Sequence, residues 1–508
     1  MATPVSDTYG VPSGMSVYAG NKPGGLLFGV ARLGDIAASG AVGGMTFSSL
    51  SGNALLGDVT GSGSLGTSNG LPNALLNLIA AAPANSWIKA NTNTFQSSWA
   101  PLDYRAPYLS GVSSPGQTLQ CWSSFAWDDT NYRLILWGGG HANSNENSVY
   151  SWSSITQQWS LSFHSSDIVT VSGGTGFEPV DGPQNAPQSS HTYDTQQWLP
   201  VLRKFVTFGG AASSSAGPPV IRTAPAREVG CYLLDMTLAG QGYVGGTTGS
   251  NVHRNTTVGV NLPGAQAWQV RDWFLDNPSM AALGMTSFGA RTNAISDLRI
   301  EGGRDVVYYK GGAGSLYRIE FVDNDYRNDI ITKVGLAWTS NQSGAGGSLD
   351  SVGNILLTRL DSGLYSLEGF DLNTAGPSNK NFRVLDANIG GSGAADYIAS
   401  SAPGVDGGCL FDPVRDYFVM WSGGGSVYAV KRPADMSNLE IGWTATKICT
   451  EAASPRPLQD SEMTSGIDTG ITGKWRRSEK LDVYIGVRHF NEGNVWIYKP
   501  AGWIDPRA

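Results

Sequence analysis

Apolar and polar positions between residues 131 and 159 alternate in a form that predicts one β-hairpin. An apolar run at 132–137 stops at Gly138, Gly139 and Gly140; a polar stretch follows, and 148–152 re-enters with a period of two. That period puts Val149 on one face and Tyr150 with Trp152 on the other, as in a strand. Glycine suits the stop, because a strand that turns sharply against passing backbone needs residues that accept positive φ and carry no Cβ. The re-entry strand returns at 230–234, 315–319, 363–367, 426–430 and 494–498, each with an aromatic residue in third place. The preceding apolar strand returns at 205–208, 306–309, 355–358, 417–421 and 483–487. Six hairpins in series, spaced by roughly 50 to 85 residues, form an internal repeat. Repeats of about this length with glycine and aromatic signals predict propeller blades.

Gly139-Gly140, Tyr150 and Trp159 in the first repeat, and Gly424-Gly425, Tyr428 and Trp443 in the fifth, resemble the kelch repeat. In that repeat a glycine pair ends the second strand of each blade and a Tyr and then a Trp follow. The resemblance covers about residues 110–508 and implies an all-β chain: a kelch-like β-propeller of six blades, with seven as the alternative. It implies little about activity, since one fold hosts many.

The remaining pattern sets the expected domains. Residues 1–84 read as an N-terminal attachment arm, rich in Gly, Ser and Ala and short of charge, with β-strand character in 33–40 and its echo at 56–63. Its apolar clusters, Leu26-Leu27-Phe28-Gly29-Val30 and Leu75-Leu76-Asn77-Leu78-Ile79, exceed what a solvated linker carries. Residues 71–82 have helical spacing. Leu26, Leu27, Phe28, Leu75, Leu76 and Ile79 are therefore the expected assembly contacts, buried by neighbouring subunits or by the propeller side. Residues 85–508 read as the propeller. Within it, 85–99 is expected to complete the last blade, the one containing Trp496, and 239–287 exceeds what a blade needs. Trp268, Trp273 and Phe274 lie there among helix-compatible residues, so a helical insertion over a rim is expected. First strands are expected at 119–127, 191–193, 294–298, 347–349, 408–411 and 463–467.

Composition narrows the function. The 508 residues include 67 Gly, 16 Trp and 19 Tyr, and charged residues make up 15% with a net of -8. That balance lacks the clustered Lys and Arg of a nucleic-acid footprint. No stretch reaches ~18 apolar residues, so membrane insertion is not expected, and no secretory signal is visible in the opening residues. Cys121, Cys231, Cys409 and Cys449 show no metal-ligand spacing and read as buried thiols.

His141, His191 and His489 follow second strands or begin a first strand, which places all three on one face of the disc, with Arg488 and Trp137 beside them as candidate ligand-binding residues. Imidazoles so gathered suit copper or zinc. The position is similar to that where galactose oxidase, a kelch-propeller enzyme, holds copper between tyrosines and histidines. No Tyr-His pair occurs here, however; the nearest combinations are His191-Thr192-Tyr193 and Arg488-His489-Phe490, so no cofactor is expected. Asp460, Glu462 and Asp468 cluster before the last blade, a pattern that a glycosidase could use as acid and base. There is no G-x-S-x-G elbow, no H-E-x-x-H and no phosphate loop.

A charge-poor arm, no signal, a large degenerate propeller and no catalytic motif together resemble bacteriophage virion proteins, in which propellers occur in tails and adsorption apparatus. The resemblance implies a non-enzymatic tail component (nozzle, fibre or adsorption module) made in the host cytoplasm and located in the virion. Its expected partners are other tail proteins and copies of itself. A carbohydrate-binding adsorption module that recognises a host surface glycan is the first alternative, and a copper oxidase the second.

Overall fold

In a computed structural model, the described residues are 70–99, 114–120, 122–139, 146–170, 177–212, 220–221, 226–250, 261–289, 291–311, 314–336, 346–360, 364–374, 381–400, 407–463 and 470–508, with the backbone of one strand pair before them. The chain divides into two compact units, Met1–Leu71 and Pro72–Ala508. In the first, Gly40–Val42 pairs antiparallel with Met45–Phe47. Leu26, Leu27 and Phe28 lie outside the described residues.

The second unit is a six-bladed β-propeller. Blade one is Phe125–Asp128, Arg133–Trp137, Val149–Ser153 and Gln158–Phe163. Blade two is Gln196–Leu199, Lys204–Thr207, Cys231–Leu234 and Trp268–Arg271, and blade three is Ile295–Glu301, Arg304–Lys310, Leu316–Phe321 and Ile330–Gly335. Blade four is Gly347–Asp350, Ile355–Arg359, Tyr365–Asp371 and Asn381–Leu385. Blade five is Gly408–Asp412, Tyr417–Trp421, Val427–Lys431 and Trp443–Cys449. In blade six, Trp475–Ser478, Val483–Arg488 and Asn494–Lys499 are joined by an outer strand from far upstream, Ser86–Lys89, with Trp87 opposite Tyr498 and Lys89 opposite Trp496. Each first strand lies beside the first strand of the next blade, and that of blade six lies beside that of blade one, so the ring closes. The closing strand is shorter than the 85–99 expected, because Thr94 caps a helical turn at Phe95–Ser98 by accepting from the Ser97 amide.

Both faces of every blade are covered by neighbours, so the period of two seen in sequence becomes burial on both sides. Val149, Tyr150 and Trp152 are all buried, as are Cys231, Cys409 and Cys449, which are free thiols. The glycine stops have a steric cause. A Cβ on Gly138, at φ 89°, would sit 2.8 Å from the Ser190 carbonyl oxygen, and one on Gly210 only 1.5 Å from the His191 carbonyl oxygen. The chain leading into blade two runs directly across the ends of two second strands.

Several expectations shift. The first strands of blades one, two and six are Phe125–Asp128, Gln196–Leu199 and Trp475–Ser478: 115–119 is helical, Ser190–His191 is a separate short strand paired with Ala211–Ala212, and 464–467 lies outside the described residues. Trp268 is not helical; it opens the outer strand of blade two and packs on Trp137 at 5.6 Å between ring centroids. The rest of 239–287 divides around that strand. Upstream, Gly240 donates to Ser162 and His164 to Tyr243, so the segment covers the outer edge of blade one; downstream come two short helices, Trp273–Asp276 and Pro278–Leu283. A covered edge cannot pair with another chain. The helix Asn73–Ala81 belongs to the propeller unit and not to the preceding one. Leu75, Leu76 and Ile79 are completely buried within this single chain, which leaves none of them free as an assembly contact. Lys499 Nζ donates to the Ala82 carbonyl at 2.8 Å and Arg507 Nη1 to Asn77 Oδ1 at 2.6 Å, fixing the helix to the C-terminal segment.

Candidate functional site

The antiparallel order gives the disc two unlike faces. On one, first and second strands are joined by tight turns whose amides are held by buried carboxylates. Asp128 Oδ1 accepts from Thr130 and Asn131, Asp350 Oδ1 from Val352 and Gly353, and Asp412 Oδ1 from Val414 and Arg415. Where blade two has Leu199 at that place, Asp305 of blade three reaches over to the Val201 and Leu202 amides instead. On the other face lie the connections between blades, of which 164–170, 177–195, 272–289, 291–294, 386–400, 450–463 and 470–474 are described. Long surface connections on a rigid scaffold are where binding residues concentrate, so this loop face is the candidate site.

The axis beneath it is filled with a polar network. Arg476 of blade six donates through Nη2 to Asp194 Oδ1 at 2.7 Å and to the Gln196 carbonyl at 3.1 Å, and through Nε to the Phe125 carbonyl at 3.1 Å. Asp194 Oδ2 accepts from the Gly347 amide at 3.0 Å, so one buried ion pair links blades six, one, two and four. Asp297 Oδ2 accepts from Ser348 Oγ and the Leu349 amide, and burial pushes its carboxyl above the usual range. Lys474, which precedes the inner strand of blade six, is buried and donates to the carbonyls of Leu119 and Gln120 at 2.8 Å.

Above this plug sits an aromatic group that the sequence only half shows. The Trp122 ring is 5.2 Å from His191 and 6.2 Å from Tyr193, and His191 is 6.1 Å from Tyr193. His191 and Tyr193 are buried and Trp122 is half-buried. Trp122 and Tyr193 have φ of 70° and 48°, and the Tyr193 amide donates to the Trp122 carbonyl at 2.7 Å. Left-handed backbone is costly for bulky residues and is held here by the two inner-strand leads that carry it. The result is a flat ring surface, backed by two further rings, at the mouth of the axis. Such a surface can stack on the apolar face of a flat or cyclic ligand.

The expected site residues separate. His191 joins the aromatic group. His489, at φ 84°, accepts through Nδ1 from the Glu492 amide at 3.1 Å and stacks on Phe490 at 5.0 Å. Burial holds its pKa below the ordinary imidazole value. Arg488 is buried and donates through Nε to the Leu458 carbonyl at 2.9 Å, bracing the 450–474 connection. Trp137 is completely buried between blades one and two, so it can touch no ligand; the strand carrying it faces the next blade. His141 and Asp468 lie outside the described residues. Glu462 is paired with Arg456 at 2.5 Å and accepts from the Gln459 amide, which holds its pKa down at about 2, so it stays ionised rather than serving as an acid. Among the described residues no group of three or more His, Cys, Asp or Glu is arranged to hold a metal, and no helix is long and apolar enough to cross a membrane.

No family model matches the chain, and no curated protein matches it in sequence. Solved structures of similar shape include an auxiliary nutrient binding protein from Bacteroides thetaiotaomicron VPI-5482, at 10% identity and a TM-score of 0.37 over 81% of this chain and 76% of that one. A putative phosphatase from the same organism follows at 8% identity and 0.36, over 81% and 78%. A protein of unknown function from Dyadobacter fermentans DSM 18053 gives 9% and 0.31, over 81% and 98%. Likenesses this weak carry nothing about ligand or activity; the architecture rests on the strand pairing itself.

Proposed function

We propose that this chain is a non-enzymatic, kelch-type propeller subunit of a bacteriophage tail, attached through residues 1–71 and displaying its loop face. The observation that carries the reading is the division at Leu71/Pro72 between a charge-poor segment and a ring that closes with its own upstream strand. A ring without free inner edges needs nothing from the segment before it, which leaves that segment to serve attachment. The partners are then other tail proteins and further copies of the chain, and the location is the virion. The test is quantitative mass spectrometry of gradient-purified particles. A fixed copy number per particle is expected for the full chain, and exclusion for a chain starting at Pro72 that is folded by circular dichroism. Absence of the full chain from particles would overturn the proposal.

A second reading, a module that adsorbs to host glycan, is favoured by the half-buried Trp122 ring over His191 and Tyr193. Glycan-array binding by the purified chain that disappears in Trp122→Ala would establish it, and an array blank for the wild type would remove it.

A further inference from the structure

The turn that carries Trp122 is built against the usual preference. Gln120 caps the short helix Pro115–Leu119, and its carbonyl accepts from the Ser123 amide at 3.3 Å and from Ser123 Oγ at 3.0 Å, which closes a β-turn with Trp122 in third place. At φ 70° that place ordinarily takes glycine or asparagine, because a Cβ there crowds the backbone. A tryptophan persists in such a position only where its surroundings over-determine it, and strain of this kind gathers at functional sites.

The determining contacts come from the leads into blades two and six. The Tyr193 amide donates to the Trp122 carbonyl at 2.7 Å. From blade six, Lys474 Nζ donates to the carbonyls of Leu119 and Gln120 at 2.8 Å each and to that of Gly470 at 3.3 Å. Lys474 is 1% exposed, so these carbonyl oxygens cage a buried ammonium. A lysine set on final helical carbonyls satisfies groups that the helix itself cannot, and here those carbonyls lead directly into the Trp122 turn. Gly473, at φ 69°, completes the contact: its carbonyl accepts from the Phe125 amide at 3.1 Å, and a Cβ on it would stand 2.1 Å from the Tyr193 carbonyl oxygen. The pair Gly473-Lys474 thus braces both strained corners of the aromatic group.

We infer that Lys474 is a positioning residue for ligand binding: its ammonium fixes the Gln120 carbonyl and so holds the Trp122 ring in place at the loop face. This rests on the reading of Trp122 as a glycan platform and adds to it the group that sets the ring's position. Carbonyl oxygens turned inward need a donor, and leaving them unmet is costly. The cage requires a cation there more than it requires the lysine chain, so a small alkylammonium should serve in place of the side chain.

The experiment uses the full chain labelled with 5-fluorotryptophan, in which the fluorine resonance of Trp122, one of 16 tryptophans, is assigned by its loss in Trp122→Phe. Lys474→Met keeps the length of the side chain and removes its charge; Lys474→Ala leaves a space that propylammonium fits. Expected for Lys474→Met, at a temperature where circular dichroism shows it folded, are a displaced Trp122 resonance and at least a tenfold loss of binding on the glycan array. Expected for Lys474→Ala is recovery of both with propylammonium chloride and not with sodium chloride at the same concentration. A role in stability alone would lower the melting temperature and leave the resonance of the folded variant at its wild-type place, and that result would overturn the proposal. No recovery with propylammonium would assign the effect to packing and overturn it too. Should Lys474→Met not fold, Lys474→Ala with propylammonium decides in its place by the same resonance. An array blank for the wild type removes the glycan reading, while the resonance still decides whether Lys474 positions Trp122.

Discussion

Replacing Trp87 by alanine should open the ring. Trp87 is 1% exposed and stands at the centre of an indole cluster, with ring centroids 5.3 Å from Trp421, 5.6 Å from Trp475 and 5.1 Å from Tyr498. Its Nε1 donates to the Gly425 carbonyl at 2.9 Å, joining the closing strand of blade six to the glycine stop of blade five. Truncating a buried Trp costs about 3–5 kcal/mol, part of it from the cavity left behind. Stranding the Gly425 carbonyl adds about 1 kcal/mol or more, so a loss of about 4–6 kcal/mol is expected. Trp87→Phe keeps most of the apolar area and should lose only about 1–2 kcal/mol from the missing N–H. Ile155→Ala, on an exposed turn residue, should change stability by less than about 0.5 kcal/mol. Urea unfolding followed by far-UV circular dichroism measures all three, and hydrogen exchange should locate the damage in Ser86–Lys89 and Asn494–Lys499. Should Trp87→Ala unfold within about 0.5 kcal/mol of wild type, the argument that this strand closes the ring is wrong.

Cutting at two places separates the helix from what precedes it: a chain starting at Pro72 should fold, whereas one starting at Asn85 loses the burial of Leu75, Leu76 and Ile79, about 4.5–9 kcal/mol at about 1.5–3 each, and should melt lower or aggregate; equal melting temperatures would refute the assignment of the helix to the ring. Arg476→Met should cost about 3–5 kcal/mol by leaving Asp194 buried without its cation, and adding Asp194→Asn should recover part of that in a double-mutant cycle, whereas additive losses would show that the two do not act as a pair. His489 gives a pH signature. Its folded pKa lies below the ordinary 6.5 because burial disfavours the cation, and the Nδ1 that accepts from Glu492 must stay unprotonated. Its contribution is therefore present above about pH 6.5 and is lost as pH falls through the lowered value. Between pH 7.5 and 5.5 the wild type should lose more stability in urea than His489→Asn, a residue that also tolerates the positive φ; parallel profiles would sink the assignment.

The hairpin repeat was legible because each blade writes the same local chemistry: an apolar strand, a stop that needs glycine, and a re-entry strand with an aromatic third. Gly138 and Gly210 show why the stop is glycine, and that cause is nonlocal, since the atoms in the way belong to Ser190 and His191. First strands were less legible. Trp475–Ser478 and Gln196–Leu199 are polar on one side because they face the axis, where Arg476 and Gln196 meet Asp194 and Trp137 through hydrogen bonds, so hydrophobic periodicity misses them. Trp268 was misread for the opposite reason. Its neighbours accept a helix locally, and only the need of blade two for a fourth strand makes them extended. The aromatic group was legible in part: His191 and Tyr193 stood out as neighbours in sequence, while Trp122 joins them only through two left-handed backbone positions.

The two faces divide the structural work of the fold unequally. On the turn face the carboxylates of Asp128, Asp350, Asp412 and Asp305 accept from turn amides and are completely buried, which keeps them from a ligand in solvent. What the turns leave to solvent is mixed: Val201, Val352 and Val414 stand there beside exposed Asp416 and Glu479. On the loop face the structural work is done beneath the surface, by Arg476 with Asp194 and by Lys474 with carbonyl oxygens. The residues above that plug are therefore less constrained by the core. A substitution at half-buried Trp122, on the lead into blade one, should accordingly cost less stability than one at buried Asp194, on the lead into blade two.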